Sequence, residues 1–267
     1  MQRFIALQRS LHQGAGWKRA ETFTFAAEDA VAPVLAIELP HLLPTMPLGF
    51  IFQEEPSIYQ MVALQSLTPG LNLFIHPDGR WLGGYIPAVY RGYPFRLLPV
   101  EGSNRQALCV DTQSGLFHEN SEADDVSFFT PEGEMTQDLK NVFSFLKQCE
   151  EDRFKTQEAV NLISSMGLIA PWKIRVQNEG VKEEAAQFVK GLFKIDEQAL
   201  KGLEPEKVGV LSKTGALSLV YAQLFSQHRL AGLTKLYQLR KEIVASTKVP
   251  EINLDEIFGG SDDTLKF

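Results

Sequence analysis

A helical repeat in the second half of the chain limits its fold more than any other feature of the sequence. Apolar residues recur at three- and four-residue steps between Leu139 and Met166, which is the spacing of one buried helix face. Thr136 is placed to cap the start of this helix, and Gly167 is placed to end it. The spacing therefore predicts one long helix, or two helices with a break near Arg153, whose apolar stripe faces a core.

The first half of the chain has a different pattern, in which short apolar runs alternate with prolines. Four prolines divide Thr22–Phe52 into runs that are too short for long helices or for regular βαβ units. We expect strands in this region, among them Val34–Leu39 and Gly49–Phe52. A further strand is expected at Tyr59–Leu64. This half is therefore predicted to be rich in short strands.

A turn and an aromatic segment follow at the centre of the sequence. Pro77–Gly79 has the composition of a type I turn and comes directly after the apolar run Asn72–Ile75, so we predict a hairpin. Ile86–Phe95 has a proline near each end, and proline removes a ladder donor. We expect this segment to be an edge strand or a surface loop.

Shorter elements are predicted on both sides of the long helix. The strand candidates are Ala107–Val110, Val126–Phe129, Trp172–Val176 and Phe193–Ile195. Asp196 is expected to cap a short helix through Leu200, and three further helices are expected after Glu204, at Ala216–Phe225 and from Ser226. The polar run Gln177–Glu184 is predicted to be an exposed loop.

Together these patterns predict an α+β fold, in which an N-terminal part rich in short strands packs against a C-terminal helical part. The predicted organisation is an N-terminal extension at 1–20, either mobile or a short helix, a β-rich lobe at 21–134, a mainly helical lobe at 135–245 and a flexible tail at 246–267. With 267 residues, of which 44% are apolar, the chain can bury a large core.

Charge and composition exclude several classes of protein. The formal net charge of −7, without a long basic run, argues against binding to nucleic-acid phosphates. Cys109 and Cys149 are far apart and form no CxxC motif, so neither a disulfide framework nor a zinc knuckle is indicated. No stretch reaches the roughly 18 to 20 apolar residues of a membrane span. We expect a cytoplasmic protein without a membrane span.

No motif in the chain identifies a reaction or a cofactor. The sequence lacks a GxSxG elbow, a GxGxxG loop, a Walker loop and an HExxH pair. We therefore assign no catalytic residue, no cofactor and no metal ligand, and we favour a protein that is not an enzyme. The acidic segment Glu119–Asp125 does not match a calcium loop, so we interpret it as a solvated loop. A buried, inert thiol is expected at Cys109.

An iron oxygenase is the alternative that the residues leave open. His76 and Asp78 have the HxD spacing, and with His118 they would supply two histidines and one carboxylate for non-haem iron. The turn predicted at Pro77–Gly79 argues against this, because it would splay the two side chains apart at the surface.

The aromatic and arginine side chains of the central segment are the best candidates for a binding surface. Flat rings and guanidinium groups together suit recognition of a peptide, a carbohydrate or a partner protein, although core packing of the same rings is the alternative. The predicted binding residues are Trp81, Tyr85, Arg91, Tyr93 and Phe95.

Several segments of the chain resemble the SapC family. The similar segments are LTPGLNL (Leu67–Leu73), GRWLGGYIPAVYRGYPF (Gly79–Phe95), LCVDTQSG (Leu108–Gly115), LIAPW (Leu168–Trp172) and the IDEQAL and GALSLVYAQLFS motifs within Phe193–Ser226. The resemblance extends from about residue 23 to about residue 239. It supplies no catalytic residue to transfer to this chain.

The resemblance implies a role next to other proteins. The family is associated with bacterial surface-layer proteins, and its members are often encoded near outer-membrane receptors, halogenase-like flavoproteins and oxygenase-like proteins. We therefore expect a non-catalytic binding or accessory protein that recognises a peptide, a protein or a surface component in a bacterial modification or export system. Its partner would be such a substrate or the modifying enzyme itself.

Overall fold

The computed structural model describes residues 3–103, 105–176, 187–245 and 257. Its strands are β1 (Phe4–Ala6), β2 (Gly16–Trp17), β3 (Val31–Pro33), β4 (Leu48–Gln53), β5 (Ile58–Leu64), β6 (Phe95–Pro99), β7 (Gln106–Asp111), β8 (Phe117–His118), β9 (Val126–Ser127), β10 (Ile169–Pro171), β11 (Ile174–Val176), β12 (Gln187–Val189) and β13 (Leu192–Ile195). Its α-helices are α1 (Arg9–His12), α2 (Leu39–Leu42), α3 (Ala88–Arg91), α4 (Gln137–Ser165), α5 (Glu197–Lys201), α6 (Pro205–Lys213), α7 (Ala216–Ser226) and α8 (Leu230–Ala245).

The strands form small antiparallel sheets. The largest has the order β10-β13-β4-β5-β3, and its centre is the β4–β5 hairpin, in which Leu48 lies opposite Ala63. Two three-stranded sheets have the orders β1-β7-β6 and β8-β2-β9, and β11 pairs with β12. Together with the helices, this arrangement confirms the predicted α+β class and the strands expected at β4, β5, β7 and β13.

The long helix α4 is continuous, as the first of the two predicted alternatives required. Thr136 caps its N-terminus by accepting a hydrogen bond from the main-chain N–H of Leu139, and Gly167 follows its end with a φ of 70°. The charged residues around Arg153 do not interrupt it. Its apolar face packs against strands β5 and β6 and against helix α7.

The N-terminal residues include the short helix α1, one of the two expected forms, but they also pair with strands of the folded body. Strand β1 pairs with β7, and β2 lies between β8 and β9. Trp17 is only 4% exposed, stacks on Phe128 and meets Phe95 edge to face. The prediction missed this because two- and three-residue strands leave no periodic signal in a sequence.

Two further segments form short helical turns, where a strand was predicted at Val34–Leu39 and an edge strand or a surface loop at Ile86–Phe95. Val34–Leu39 contains a 3-10 helix, Ala36–Glu38, and Ile86–Phe95 contains the helix α3. The Glu38 carboxylate accepts hydrogen bonds from the main-chain N–H groups of Leu35 and Ala88. Each helical turn thereby gains a side-chain hydrogen-bond partner, which the N–H groups of a paired strand do not require. One buried side chain therefore supports both turns, and for Ala88–Arg91 it comes from fifty positions earlier in the chain.

Some predictions lie outside the described residues or remain untested. The loop expected at Gln177–Glu184 falls outside them, as does the expected tail at 246–267 apart from Ile257. The predicted lobe boundaries stay predictions. No single described helix is long and apolar enough to cross a membrane, although helix α6 and the helical stretch Ala216–Ala245 pass that test as a pair bent by 95°.

One buried side chain completes the main sheet. The register of β13 on β4 places Ile195 opposite Leu48, but at this point the amide of Gln223 lies between the two strands. Its oxygen accepts the N–H of Ile195 at 2.9 Å, and its nitrogen donates to the carbonyl of Leu48 at 3.2 Å. Gln223 therefore replaces a direct strand contact where the ladder ends.

We predict that Gln223→Leu lowers the free energy of unfolding by about 2 to 4 kcal/mol, because two buried main-chain groups lose their partners. Urea unfolding measures this change. Gln198→Leu is the matched control, since Gln198 is exposed and its replacement is expected to change stability by less than about 0.5 kcal/mol. Equal unfolding midpoints for the two variants would contradict this role of Gln223.

Candidate functional site

The segment that carries most of the predicted site residues is held in place by a buried carboxylate. Glu38 is 1% exposed, and it accepts the N–H of Ala88 at 2.6 Å, the hydroxyl of Tyr85 at 3.0 Å and the N–H of Leu35 at 3.0 Å. Hydrogen bonds to a charged group are among the stronger ones in proteins. Glu38 therefore fixes the 85–91 segment against the start of α2.

Two of the predicted residues, Tyr85 and Arg91, contact each other directly. The Arg91 guanidinium donates to the Tyr85 hydroxyl at 3.0 Å and lies 5.3 Å from that ring and 5.0 Å from the ring of Phe145. His41 stacks on the same tyrosine at 4.8 Å. Burial, together with the charge of Glu38, raises the pKa of Tyr85 to about 12. These contacts hold an exposed guanidinium in one position.

Three of the five predicted residues line one cleft, which we call the aromatic cleft. It has a volume of about 380 Å³, and the N-terminal loop, helix α3 and the start of helix α4 form its walls. Within it, the Tyr93 ring stacks on Phe25 at 3.8 Å. Its principal lining residues are Trp17, Arg19, Phe23, Tyr90, Arg91, Tyr93, Phe95, Asp138 and Val142.

The side chains of Trp81 and Phe95 contribute mainly to core packing. The Trp81 indole N–H donates to the carbonyl of Tyr85 at 3.0 Å, and its half-buried ring packs near Phe74 and Tyr90. Phe95 is 3% exposed. The structure therefore brings Arg91, Tyr93 and Phe95 to one cleft and leaves Trp81 and Tyr85 as supports behind it.

A second and larger cleft opens beside the first, and we call it the edge-strand groove. Its volume is about 460 Å³, which is within the roughly 300 to 1,000 Å³ typical of ligand pockets. Strand β3 lines one side, strand β6 lines another, and helix α4 forms a wall. The residues that define it here are Val31, Pro33, Phe95, Arg96, Leu97, Leu146, Cys149, Arg153, Thr156 and Val160.

Both strands of this groove are sheet edges. Strand β3 ends the five-stranded sheet, and β6 ends the sheet β1-β7-β6, so within the described chain each has one free side. The N–H of Asp111 donates to the carbonyl of Pro94, and the N–H of Val100 donates to the carbonyl of Arg105. Hydrogen-bonded residues alternate along an antiparallel strand, so the even-numbered residues of β6 form the main-chain hydrogen bonds to β7. The main-chain N–H and C=O of Leu97 therefore point to the open side.

The groove also contains titratable groups. Burial raises the pKa of the Cys149 thiol in the groove to about 11, and outside the groove burial likewise raises the pKa of Cys109 in β7. Both thiols are therefore protonated at neutral pH, which does not suit a nucleophile. Arg153 forms an ion pair with Glu150 at 2.6 Å on the helical wall.

The three residues of the iron hypothesis do not meet. His76 lies 2.8 Å from the carboxylate of Asp78, whereas His118 lies 2.7 Å from Asp125. Among the described residues, His118 belongs to a different group of potential ligands, with Glu122 and Asp125. The turn at Pro77–Gly79 does not splay His76 and Asp78 apart as expected, since His76 is buried and the Asp78 carboxylate folds back onto it.

The pKa of Asp78 follows from the same turn. The main-chain N–H and guanidinium of Arg80, with a smaller contribution from His76, outweigh desolvation and lower the pKa of Asp78 to about 2. Hydrogen bonds within the turn therefore account for the contact between Asp78 and His76 without a metal ion.

A family comparison supports the resemblance seen in the sequence. The SapC family model matches residues 7–233, which is most of the chain. The chain belongs to the SapC family. Every lining residue of both clefts falls within the matched SapC region. Among curated proteins and among solved structures, no match was found for this SapC protein.

Sequence reasoning missed several residues of the candidate site. Glu38 stands between apolar residues in the run Leu35–Leu39, and an acid in such a run is the one signal that marks a buried carboxylate. Cys149 belonged to the apolar stripe of α4 and was therefore assigned to the core. Nothing in the sequence showed that the edges of β3 and β6 line one groove, because that depends on tertiary packing.

We predict that Tyr85 makes the protein less stable in alkaline solution. Its folded pKa of about 12 exceeds the ordinary value of 10.0, so the unfolded chain releases the phenol proton first and the free energy of unfolding falls as pH rises through this range. Tyr85→Phe is expected to make this fall shallower in unfolding curves measured against pH. Tyr221→Phe, which removes the hydroxyl of an exposed tyrosine, is the control, and identical slopes for both variants would contradict the prediction.

Proposed function

We propose that this SapC protein binds an extended segment of a partner polypeptide in the edge-strand groove, where the segment adds to the open edge of β6. The observation that carries the proposal is that two sheet edges line one groove. A strand edge offers unpaired main-chain donors and acceptors, and an extended peptide is the ligand that satisfies them.

The edge of β6 offers a short row of such groups. The N–H and C=O of Leu97 are open, and by the same alternation so are the carbonyl groups of Phe95 and Pro99. The Phe95 N–H already donates to the carbonyl of Gly92, and Pro99 has no N–H. The open row therefore suits a segment of only a few residues.

The walls of the groove supply contacts for the side chains of that segment. Helix α4 contributes Leu146, Cys149 and Val160, which suit an apolar side chain. The exposed Arg96 and the ion-paired Arg153 offer guanidinium groups to an acidic or amide side chain. Main-chain pairing would give affinity, and these walls would give selectivity.

The aromatic cleft is a second contact area in the proposal. Phe95 lines both clefts, so a ligand that extends beyond the groove reaches the side where Arg91 and Tyr93 lie. Tyr85 fixes the Arg91 guanidinium, and a fixed guanidinium loses less entropy on binding than a free one. Arg91 and Tyr93 are the predicted residues with the clearest role in binding.

The same proposal describes an accessory role and not a reaction. The segment bound would belong to a peptide or protein of a modification or export system, or to the modifying enzyme itself, of the halogenase-like or oxygenase-like kind that the family resemblance implies. We place this activity in the cytoplasm. The features in its favour are the groove, the open edge and the positioned arginine.

The experiment selects peptides from a phage-displayed library of random linear peptides against the full chain. Leu97→Pro is expected to weaken binding of the selected peptides about tenfold, because proline removes the open N–H while leaving the bonds from β6 to β7. Leu97→Val keeps that N–H and is the matched control. Methylating the main-chain nitrogens of a selected peptide that face β6 is expected to abolish binding. Methylating the alternate nitrogens, which face away from β6, is expected to leave binding unchanged.

The outcomes separate the two clefts. Binding that survives Leu97→Pro but is lost in the double variant Arg91→Ala, Tyr93→Ala, with an unchanged circular dichroism spectrum, would assign the ligand to the aromatic cleft and reject strand addition. Binding that survives both variants would reject both sites. Loss with Leu97→Pro and retention with Leu97→Val supports the groove.

Hydrogen exchange tests the edge without any ligand. We predict that the amide of Leu97 exchanges faster than that of Leu98, because the Leu98 N–H is hydrogen-bonded to β7 and the Leu97 N–H faces the open edge. Adding a selected peptide is expected to slow exchange at Leu97 and to leave Leu98 unchanged. Equal protection of the two amides in the free protein would contradict the open edge.

A further inference from the structure

The end of β8 and the loop after it bring together three side chains that offer metal ligands. The loop joins β8 to β9, which lie on either side of β2. One imidazole nitrogen of His118 and one carboxylate oxygen each from Glu122 and Asp125 all lie within 4.8 Å of one another. That spacing is compatible with three ligands around one ion.

The Asp125 carboxylate has an unfilled hydrogen-bonding capacity. Its side chain is 0% exposed. Oδ2 lies 2.7 Å from His118 Nδ1 and accepts the N–H of Glu122 at 2.7 Å, but the buried Oδ1 has no partner within the described part of the chain. Because buried carboxylate oxygens nearly always have a partner, this orphaned acceptor points to a missing ligand.

The charge of the cluster also favours a cation. The trio brings the carboxylates of Glu122 and Asp125 together with a single imidazole. At present the nearest positive charge is Lys18, whose ammonium group lies 2.9 Å from Glu122.

Lys18 is in a position to give way to a metal ion. Its side chain is 42% exposed and that of Glu122 is 61% exposed, so the ion pair between them is a solvated one, which contributes little to stability. The lysine can swing into solvent while Glu122 turns to a new cation. An arriving ion would then complete its coordination with water on this exposed side.

We propose that His118, Glu122 and Asp125 form a Zn²⁺ site that holds the loop between β8 and β9 against the sheet β8-β2-β9. A single imidazole with two carboxylates is within the ligand range of Zn²⁺, whereas Ca²⁺ and Mg²⁺ prefer oxygen ligands alone. Binding requires a neutral imidazole and exchanges the contact between His118 and Asp125 for bonds to the ion.

Local packing supports a rigid site. The loop lies so close to β2 that a Cβ on Gly16 would come within 2.7 Å of the Ser121 hydroxyl and 2.9 Å of the carbonyl of Val126. Ser121 is also tied to the N-terminal segment, since its N–H donates to the carbonyl of Gly14 at 2.8 Å. The ligands therefore sit on a loop that is already held at both of its sides.

The experiment is isothermal titration calorimetry of the full, untagged, chelator-treated chain with ZnCl₂, followed by thermal unfolding. We expect one ion per chain and a raised Tm. His118→Ala and Asp125→Asn are each expected to weaken binding about 100-fold or more, on the scale of ligand-shell losses. Glu119→Gln changes an exposed acid of the same loop outside the trio and is expected to bind Zn²⁺ like the wild type.

Two surface variants keep the test valid if the buried ones do not fold. Glu122→Gln is expected to weaken Zn²⁺ binding, and Lys18→Met is expected to strengthen it several-fold, because the competing ammonium is removed. Absence of binding in the wild type, unchanged affinity in both surface variants, or tighter binding of Ca²⁺ than of Zn²⁺ would each overturn the proposal. Neither peptide selection nor Leu97→Pro bears on this site, so it stands or falls separately from the groove.

Discussion

The packing of helix α4 against two separate cores is the interaction on which the rest of the structure depends. The helix has 29 residues and is therefore roughly 44 Å long. Its first turns, from Leu139 to Leu146, cover the smaller core around Trp17 and Phe128. Its last turns, with Val160 and Ile163, cover the larger core of the five-stranded sheet. A single helix thereby sets the distance between two sheets that share no strand.

The edge-strand groove is a consequence of that span. Between the two cores, the middle of α4 passes β3 and β6, each at the end of its own sheet, and neither sheet continues across the gap. Thr156 marks this region, because its buried hydroxyl accepts the N–H of Ala36 at 2.9 Å and donates to the carbonyl of Asp152 at 2.7 Å. The helix is thus tied to the segment that follows β3, and the groove keeps its shape without a ligand.

Periodicity predicted the elements that carry their own signal, and it failed where partners come from far along the chain. The stripe of α4, its cap at Thr136 and the strands β4 and β5 were all visible in the sequence, because each depends on residues a few positions apart. The helical form of Ala88–Arg91 was not, since its first N–H is held by Glu38, fifty positions earlier. Strands β1 and β2 likewise exist only because β7, β8 and β9 accept them.

The candidate site shows the same division. Composition drew attention to the segment 81–95, but it could not tell a ring that supports a surface from a ring that forms one. Trp81 and Phe95 turn inward because core packing takes up large apolar side chains wherever the backbone allows. Arg91 stays exposed because a guanidinium is costly to bury and finds two rings and a hydroxyl at the surface.

An open strand edge is also a hazard, and the way the chain limits that hazard bears on its use. Pro33 in β3 and Pro99 in β6 each remove one donor, which shortens the row of groups that another chain can pair with. Here the remaining groups around Leu97 lie inside a groove walled by α4, so a ligand must be narrow, extended and compatible with the wall. Under the proposed function, an edge restricted in this way would exclude non-specific pairing and accept one short strand, as recognition of a specific polypeptide segment requires.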